Sequence, residues 1–146
     1  MVGGRTRGDR RRCRRTLVSL LLDTHALLWL VLEPSRLSDR ARSEITSPDA
    51  VVRASHVSLW ELAIKRARGR LDVLDRPALE WFEHYAKASG TRTMTIQPAH
   101  LGAVEHLPDH HRDPFDRLLV AQARHDGLTI VPADELVTAY DVECVW

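Results

Sequence analysis

Four acidic residues of the chain lie at the starts of predicted helices: Asp23, Glu61, Asp116 and Asp134. Helix starts that follow parallel strands open on the same edge of a sheet, so we expect the four carboxylates to meet there. Gathered carboxylates repel one another, which raises their pKa values unless a divalent cation offsets the charge. Ligation by oxygen alone suits Mg²⁺ or Mn²⁺, and a metal held in this way can activate water for phosphoryl chemistry.

Asp23 and Asp134 also have a structural interpretation as helix caps. Asp23 directly follows the apolar run 17–22 and precedes a helical segment, and Asp134 stands in the same way between a strand and a helix. An aspartate in this position usually accepts a backbone hydrogen bond and stabilises the helix by about 1 kcal/mol. Thr24 could cap the first helix instead, so both interpretations of Asp23 stay open.

Glu61 has two structural interpretations. Ser58-x-x-Glu61 matches a capping box, and Lys65 follows Glu61 at the i,i+4 spacing that favours an ion pair. Either would explain the residue without a functional site. Its place one turn into a helix that follows a strand nevertheless matches the place of Asp23, which keeps the functional hypothesis open.

Asp116 is harder to explain as a cap. Asp113 and Pro114 make a strong helix start, which leaves Asp116 at the third helical position. The segment 118–123 is apolar nearly all round, so this helix is expected to be buried. A carboxylate on the first turn of a buried helix pays a desolvation cost unless a cation meets it. Asp113 is therefore the better cap, and Asp116 the better site residue.

An alternation of short strands and helices must position these carboxylates. The composition and periodicity predict strands over 17–22, 50–54, 93–96, 129–131 and 144–146. Helices are predicted over 25–32, 38–47, 55–69, 77–88, 99–106, 113–126 and 135–140. Strands that alternate with helices indicate an α/β fold with a mainly parallel sheet covered on both faces.

Charge divides the chain into a basic tail, 1–16, and one folded domain, 17–146. The tail holds seven arginines and one aspartate, a net +6, so the rest of the 146-residue chain carries −5. A segment without apolar periodicity and with this charge is expected to be disordered, and it could bind nucleic acid through phosphates. It could equally reflect a start codon chosen too far upstream, with the natural chain beginning near Val18.

Export and membrane anchoring are not expected. Asp23 and His25 interrupt the apolar stretch that follows the arginines, and an aspartate at the centre of a membrane helix costs about 2.5–3.5 kcal/mol. Cys13 and Cys144 do not form a disulfide framework, so reduced thiols in the cytoplasm are the simpler interpretation.

For several histidines and tryptophans we expect structural rather than functional roles. A zinc site is conceivable at His106, His110 and His111, but no cysteine lies near them and their spacing matches no structural zinc pattern, so we expect solvated loop histidines. Core packing is expected of Trp29, Trp60 and Trp81, which fall on helices among apolar neighbours.

Four motifs together resemble the PIN-domain toxins of the VapC type. They are LLLDTHALLW (20–29), SLWELAIK (58–65), HHRDPFDRLLVAQA (110–123) and the closing AD…YDV (133–142). The similarity runs from about Leu20 to Trp146, and the order of the three longer motifs is highly specific. The basic tail lies outside the family pattern.

The resemblance implies a three-layer α/β/α sandwich and a Mg²⁺- or Mn²⁺-dependent endoribonuclease, the toxin of a type II toxin–antitoxin pair. Its partners would be RNA, a small cognate antitoxin and a second copy of the chain. By motif, Asp23 and Asp116 would be the principal metal ligands, Glu61 would bind or orient metal-bound water, and Asp134 would complete the cluster. The chain has Pro132 where the family usually has Thr or Ser, so it lacks a hydroxyl that often supports the site near Asp134.

The resulting hypothesis is in-line attack of metal-activated water on an RNA phosphodiester, leaving a 5′-phosphate and a 3′-hydroxyl. Arg112 and Arg117 flank Asp116 and would steady substrate phosphates, unless Arg117 pairs with a neighbouring acid. The main alternative is a non-catalytic RNA- or protein-binding module in which the acids are caps. A phosphoacceptor receiver domain is disfavoured because it needs a lysine near its last strands, and none follows Lys87.

Overall fold

The computed structural model describes residues 16–146, and a four-stranded parallel sheet lies at the centre of this part of the chain. Its strands are β1 (Val18–Leu22), β2 (Ala50–Ser55), β3 (Arg92–Met94) and β4 (Thr129–Val131), in the order β3-β2-β1-β4. The predicted closing strand over 144–146 is wrong, because Cys144 makes only a single parallel bridge to Ile130. The predicted basic tail falls outside the described residues, apart from Thr16.

Six α-helices connect and cover the strands in the described part. They are α1 (Thr24–Leu32), α2 (Asp39–Thr46), α3 (His56–Ala67), α4 (Ala78–Ala88), α5 (Pro98–Val104) and α6 (Pro114–Asp126). Two short 3-10 turns, Pro34–Arg36 and Glu135–Ala139, follow α1 and β4. Each predicted helix up to residue 126 is confirmed to within a few residues, whereas the last one is a 3-10 turn rather than an α-helix.

Side chains of β1 alternate between two separate cores. Leu20 and Leu22 pack with apolar residues of α1, α2 and α4, whereas Leu21 packs with α6 and β4 on the opposite face. Successive residues of a strand point to opposite faces, so a wholly apolar strand must be covered on both sides. The predicted α/β/α layering is confirmed, and β1 lies at its centre.

The end of α6 requires a left-handed residue. Gly127 has φ +65, and its backbone N–H donates to the Ala123 carbonyl. We expect Gly127→Ala to destabilise the protein by about 1 kcal/mol, because a Cβ is strained at that φ. Gly102→Ala is the matched control, because Gly102 lies inside α5 with open space around it, where alanine favours the helix. Urea denaturation should give shifts of opposite sign, and shifts of the same sign would contradict the argument.

Within residues 16–146, no helix has the length and apolar character needed to cross a membrane.

Candidate active site

An acidic cleft of about 600 Å³ opens where β1 and β4 end. Its carboxylates belong to Asp23, Asp113, Asp116, Asp134 and Glu135. Other side chains that line it are those of His25, Trp29, Arg36 and His111. The structure thus brings three of the four predicted acids, Asp23, Asp116 and Asp134, to one place at the carboxyl edge of the sheet. The fourth, Glu61, does not line the cleft.

Asp23 is both a helix cap and a cleft residue. Its Oδ1 accepts from the Ala26 N–H at 2.7 Å, which caps α1, and its Oδ2 accepts from the Ala133 N–H just beyond β4. The side chain is buried, and desolvation raises the pKa of Asp23 to about 6 despite these two hydrogen bonds. The two interpretations that the sequence left open are therefore compatible, and Thr24 is not the cap.

Asp116 occupies the third position of α6, as predicted, and Asp113 caps the helix. Oδ1 of Asp113 accepts from the N–H groups of Phe115 and Asp116 at 2.8 and 3.1 Å. Burial, followed by the negative charges of Asp113 and Asp23, raises the pKa of Asp116 to about 7. The expected mutual repulsion of gathered carboxylates is thus confirmed for Asp116.

His111 is a site residue that the sequence interpretation missed. The prediction of a solvated loop histidine is wrong for it, because His111 is buried and lines the cleft, whereas His106 and His110 are exposed. Its position two residues before the cap of α6 was the available signal, because His111 Nδ1 accepts from the Asp113 N–H at 2.9 Å.

The tautomer of His111 follows from that hydrogen bond. Since Nδ1 accepts a hydrogen bond from the backbone, the ring proton lies on Nε2. Nε2 donates to Asp134 Oδ2 at 2.9 Å, and it lies 3.1 Å from Asp116 Oδ2 without a hydrogen bond to it. His111 is therefore a hydrogen-bond donor to Asp134 that also lies close to Asp116, and this tautomer does not suit it as a metal ligand.

Asp134 is a cap whose pKa departs from the expectation. Oδ1 of Asp134 accepts from the Leu136 N–H at 2.9 Å at the start of the 3-10 turn Glu135–Ala139. This backbone bond, together with the hydrogen bond from His111, holds the pKa of Asp134 below its usual value. The prediction that repulsion raises the pKa of every acid in the cluster is therefore wrong for Asp134.

Glu61 lies behind the cleft at 3 % exposure. Lys65 Nζ donates to its Oε1 at 2.5 Å, which confirms the predicted i,i+4 pair, and Thr24 Oγ1 donates to its Oε2 at 2.5 Å. The capping-box prediction is wrong, because Ser55 rather than Ser58 caps α3. The negative charge of Glu61 nevertheless acts on the cleft, since it contributes to the raised pKa values of Asp23 and Asp116.

The two arginines predicted to bind substrate do not line the cleft. The Arg117 guanidinium donates to the Pro108 carbonyl at 3.0 Å and to the Tyr140 hydroxyl at 3.1 Å, and it lies 3.9 Å from the exposed Asp109. Arg117 therefore holds the loop before α6, which carries His111. Arg112 is exposed beside the site. The arginine that does line the cleft, Arg36, was not singled out from the sequence.

The prediction that three tryptophans pack in the core is fully confirmed for only one of them. Trp81 is fully buried, as predicted, whereas Trp29 is half-buried and lines the cleft. Trp60 is 49 % exposed and meets Phe115 edge to face, with ring centroids 4.8 Å apart. Apolar neighbours in the sequence predicted burial of Trp60, but they lie on the inward face of α3.

A second group of metal-ligand residue types lies outside the cleft. His100, His125 and Asp126 have ligand atoms within 4.8 Å of one another. His100 Nδ1 accepts from the Gln97 N–H at 3.1 Å, so its Nε2 carries the proton and donates to Asp126 at 3.1 Å. In this tautomer His100 cannot ligate a metal through Nε2, and the group is a hydrogen-bonded cluster that joins α5 to α6.

The cleft itself suits a divalent cation. Asp23 and Asp116 contribute desolvated carboxylates whose ionised forms are disfavoured in the absence of a counter-charge. Their oxygens keep lone pairs beyond those used in the hydrogen bonds, and an all-oxygen donor set matches a hard ion such as Mg²⁺ or Mn²⁺. A bound cation would favour both ionised forms and offset the repulsion.

Comparisons with known proteins agree with this geometry. The family model of the PIN domain matches residues 20–142. Ribonuclease VapC22 of Mycobacterium tuberculosis (strain ATCC 25618 / H37Rv) is 32 % identical over 125 residues, which cover 85 % of this chain and 93 % of that protein. The fold is also similar to that of a chain in the crystal structure of VapBC2 from Rickettsia felis bound to a DNA fragment from their promoter. The TM-score is 0.65, and the match covers 87 % of this chain and 97 % of that one. The two sequences are only 11 % identical, so this comparison shows a likeness of fold. The chain therefore belongs to the PIN-domain family and, as its motifs predicted, is similar to the VapC ribonucleases within it.

Proposed function

We propose that the protein is a divalent-metal-dependent endoribonuclease and the toxin of a type II toxin–antitoxin pair. The observation that carries the proposal is the meeting of Asp23 and Asp116, 93 residues apart in the chain, in one acidic cleft where burial disfavours their ionised forms. Such a pair has little use in a non-catalytic module, because two desolvated acids cost stability. The similarity to a VapC ribonuclease supports RNA as the substrate.

In this proposal the acidic residues bind the metal and line the cleft. Asp23 and Asp116 would bind Mg²⁺ or Mn²⁺, which supplies Lewis-acid activation of water and offsets phosphate charge. Asp134, held ionised by its backbone hydrogen bond and by His111, completes the acidic rim. Glu61 does not line the cleft, so we assign it an indirect role: its negative charge acts from behind on Asp23 and Asp116.

The cationic residues of the proposal act in different ways. Arg112, exposed beside the cleft, is the proposed contact for RNA phosphates. Arg117 acts indirectly, by fixing the loop that carries His111. For Arg117, the proposal thus adopts the alternative of partners within the protein in place of a substrate phosphate.

The partners and the location belong to the same proposal. A relative of the same fold was crystallised as a VapBC pair, which supports a cognate antitoxin for this chain. A homodimer and a cytoplasmic location follow from the resemblance of the motifs. Co-expression of a small reading frame adjacent to the gene should relieve the growth arrest that the proposed toxin causes.

Metal removal tests the proposed reaction directly. A single-stranded RNA incubated with the protein should be cut in Mg²⁺ or Mn²⁺, and cleavage should stop in excess EDTA and return when the metal is restored. End labelling should find a 5′-phosphate and a 3′-hydroxyl. An Asp116→Asn preparation, purified in parallel, controls for contaminating ribonuclease. Cleavage that survives EDTA would contradict the proposal, and absence of both cleavage and Mn²⁺ binding would favour the binding module.

A further inference from the structure

Arg36 is the only arginine or lysine among residues 16–146 that lines the acidic cleft, and its position is fixed by its neighbours. Its guanidinium carbon lies 4.4 Å from the centre of the Trp29 ring. Trp29 is itself packed against Trp146, with ring centroids 5.8 Å apart. A cation over an aromatic face is held electrostatically at a cost of little entropy, because the ring and the guanidinium are both flat and rigid.

The backbone at Arg36 is also restrained. Arg36 ends the 3-10 turn that begins at Pro34, and its N–H donates to the Glu33 carbonyl at 2.9 Å. The next residue, Leu37, is buried in the core and donates to the Pro34 carbonyl at 3.2 Å. The turn that begins at Pro34 and the buried Leu37 therefore fix the backbone position of Arg36, although its side chain is exposed.

The N–H groups of Arg36 remain available. Five carboxylates line the cleft, yet among the described residues none of them forms an ion pair or hydrogen bond with the Arg36 guanidinium. Stacking on Trp29 uses the face of the guanidinium and leaves its in-plane N–H donors free, and that donor fork matches the geometry of a phosphate. An acidic cleft that receives a polyanion needs such a cation, since carboxylates alone repel phosphates.

From this geometry we infer that Arg36, positioned on Trp29, binds a backbone phosphate of single-stranded RNA beside the bond that is cut. The inference rests on the proposed ribonuclease function and adds a substrate-binding residue to it. Arg36 touches the substrate and not the reacting oxygen atoms, so it lowers KM and leaves kcat nearly unchanged. Trp29 is a positioning residue, which acts through Arg36.

Steady-state cleavage of a short RNA in saturating Mg²⁺ tests the inference. Arg36→Gln should raise KM about tenfold, the loss of one charge-assisted contact, with kcat within about twofold of the parent. The slope of log KM against log salt should fall by about 0.7, the release expected for one phosphate contact on a single strand. Arg36→Lys should have a KM between those of the parent and Arg36→Gln, and a salt slope close to that of the parent. Lysine keeps the positive charge but lacks the planar donor fork of arginine.

Arg40→Gln is the matched control. Arg40 is an exposed arginine four residues further on, in α2, and does not line the cleft, so its KM and salt slope should equal those of the parent. An equal effect of Arg36→Gln and Arg40→Gln, or a fall in kcat with KM unchanged, would overturn the inference. If the parent cleaves no RNA, the proposed reaction fails, while binding of the same labelled RNA in Mg²⁺, followed by fluorescence anisotropy, still decides the role of Arg36. Unchanged binding by Arg36→Gln would then overturn it.

Discussion

Asp116→Asn is expected to stabilise the metal-free protein and at the same time to reduce RNA cleavage at least 100-fold. The pKa of Asp116 is raised to about 7, which means that folding disfavours the ionised carboxylate. At pH 8 the parent bears this penalty, and the neutral amide removes it. We expect a gain of roughly 2 kcal/mol, seen as a rise of several degrees in Tm by differential scanning calorimetry in EDTA. Cleavage is lost because the amide is a poor ligand for a hard cation.

The contribution of Asp116 to the stability of the metal-free protein should depend on pH. Below about pH 4 Asp116 is protonated in the folded and the unfolded protein, so its contribution there is at its most favourable. As the pH rises from about 4 to about 7, the unfolded chain ionises first and the folded state loses stability. The difference in Tm between Asp116→Asn and the parent should therefore grow across this window and level off above it.

Magnesium should reverse the order of the two melting temperatures, so that the parent has a higher Tm than Asp116→Asn. A ligand that binds only the folded state stabilises it, so Mg²⁺ should raise the Tm of the parent and not that of Asp116→Asn. Asp72→Asn is the matched control: Asp72 is exposed and lies outside the cleft, so both its Tm values should follow the parent. Equal stabilisation of Asp116→Asn and the parent by Mg²⁺ would show that Asp116 is not a ligand.

Lys65→Met is expected to destabilise the protein by about 3 kcal/mol. Lys65 Nζ donates to Glu61 Oε1 at 2.5 Å, and the Glu61 carboxylate is buried, so removal of the lysine leaves a buried charge with one hydrogen-bond donor, Thr24. Breaking one side of a buried pair costs more than the pair itself contributes. Urea denaturation at neutral pH measures the loss.

Two further variants separate the buried charge from a general effect of losing a cation. Glu61→Gln combined with Lys65→Met should recover most of the stability, because no charge is then buried without its partner. Arg42→Gln breaks the exposed pair with Asp39 and should change stability by less than about 0.5 kcal/mol. A loss in Lys65→Met no larger than in Arg42→Gln would show that Glu61 does not depend on Lys65.

Local interactions explain why the helix caps could be predicted. Asp113 and Asp23 cap through N–H groups two or three residues away, so the residue type and the following pattern suffice. The burial of α6 followed from its own apolar residues. The capping box at Glu61 failed because two serines, Ser55 and Ser58, offered equivalent local signals, and the long-range hydrogen bond from Thr24 is not visible in a local pattern.

Residues whose role depends on distant packing were missed. His111 is covered by Tyr140, whose hydroxyl accepts from the His111 N–H at 3.0 Å, and it reaches Asp134. Neither contact has a sequence signature, so the histidine was interpreted as one of three solvated neighbours. Arg36 was missed for the same reason: its contact with Trp29 depends on the 3-10 turn that begins at Pro34, and this contact has no local sequence signature.

The second hydrogen bond of Asp23 links residues 110 positions apart, because its Oδ2 accepts from Ala133 once β4 has docked beside β1. A nascent polypeptide therefore contains Asp23 early but gains His111, Asp116 and β4 only late in translation. The acidic cleft therefore cannot form until most of the chain has been synthesised.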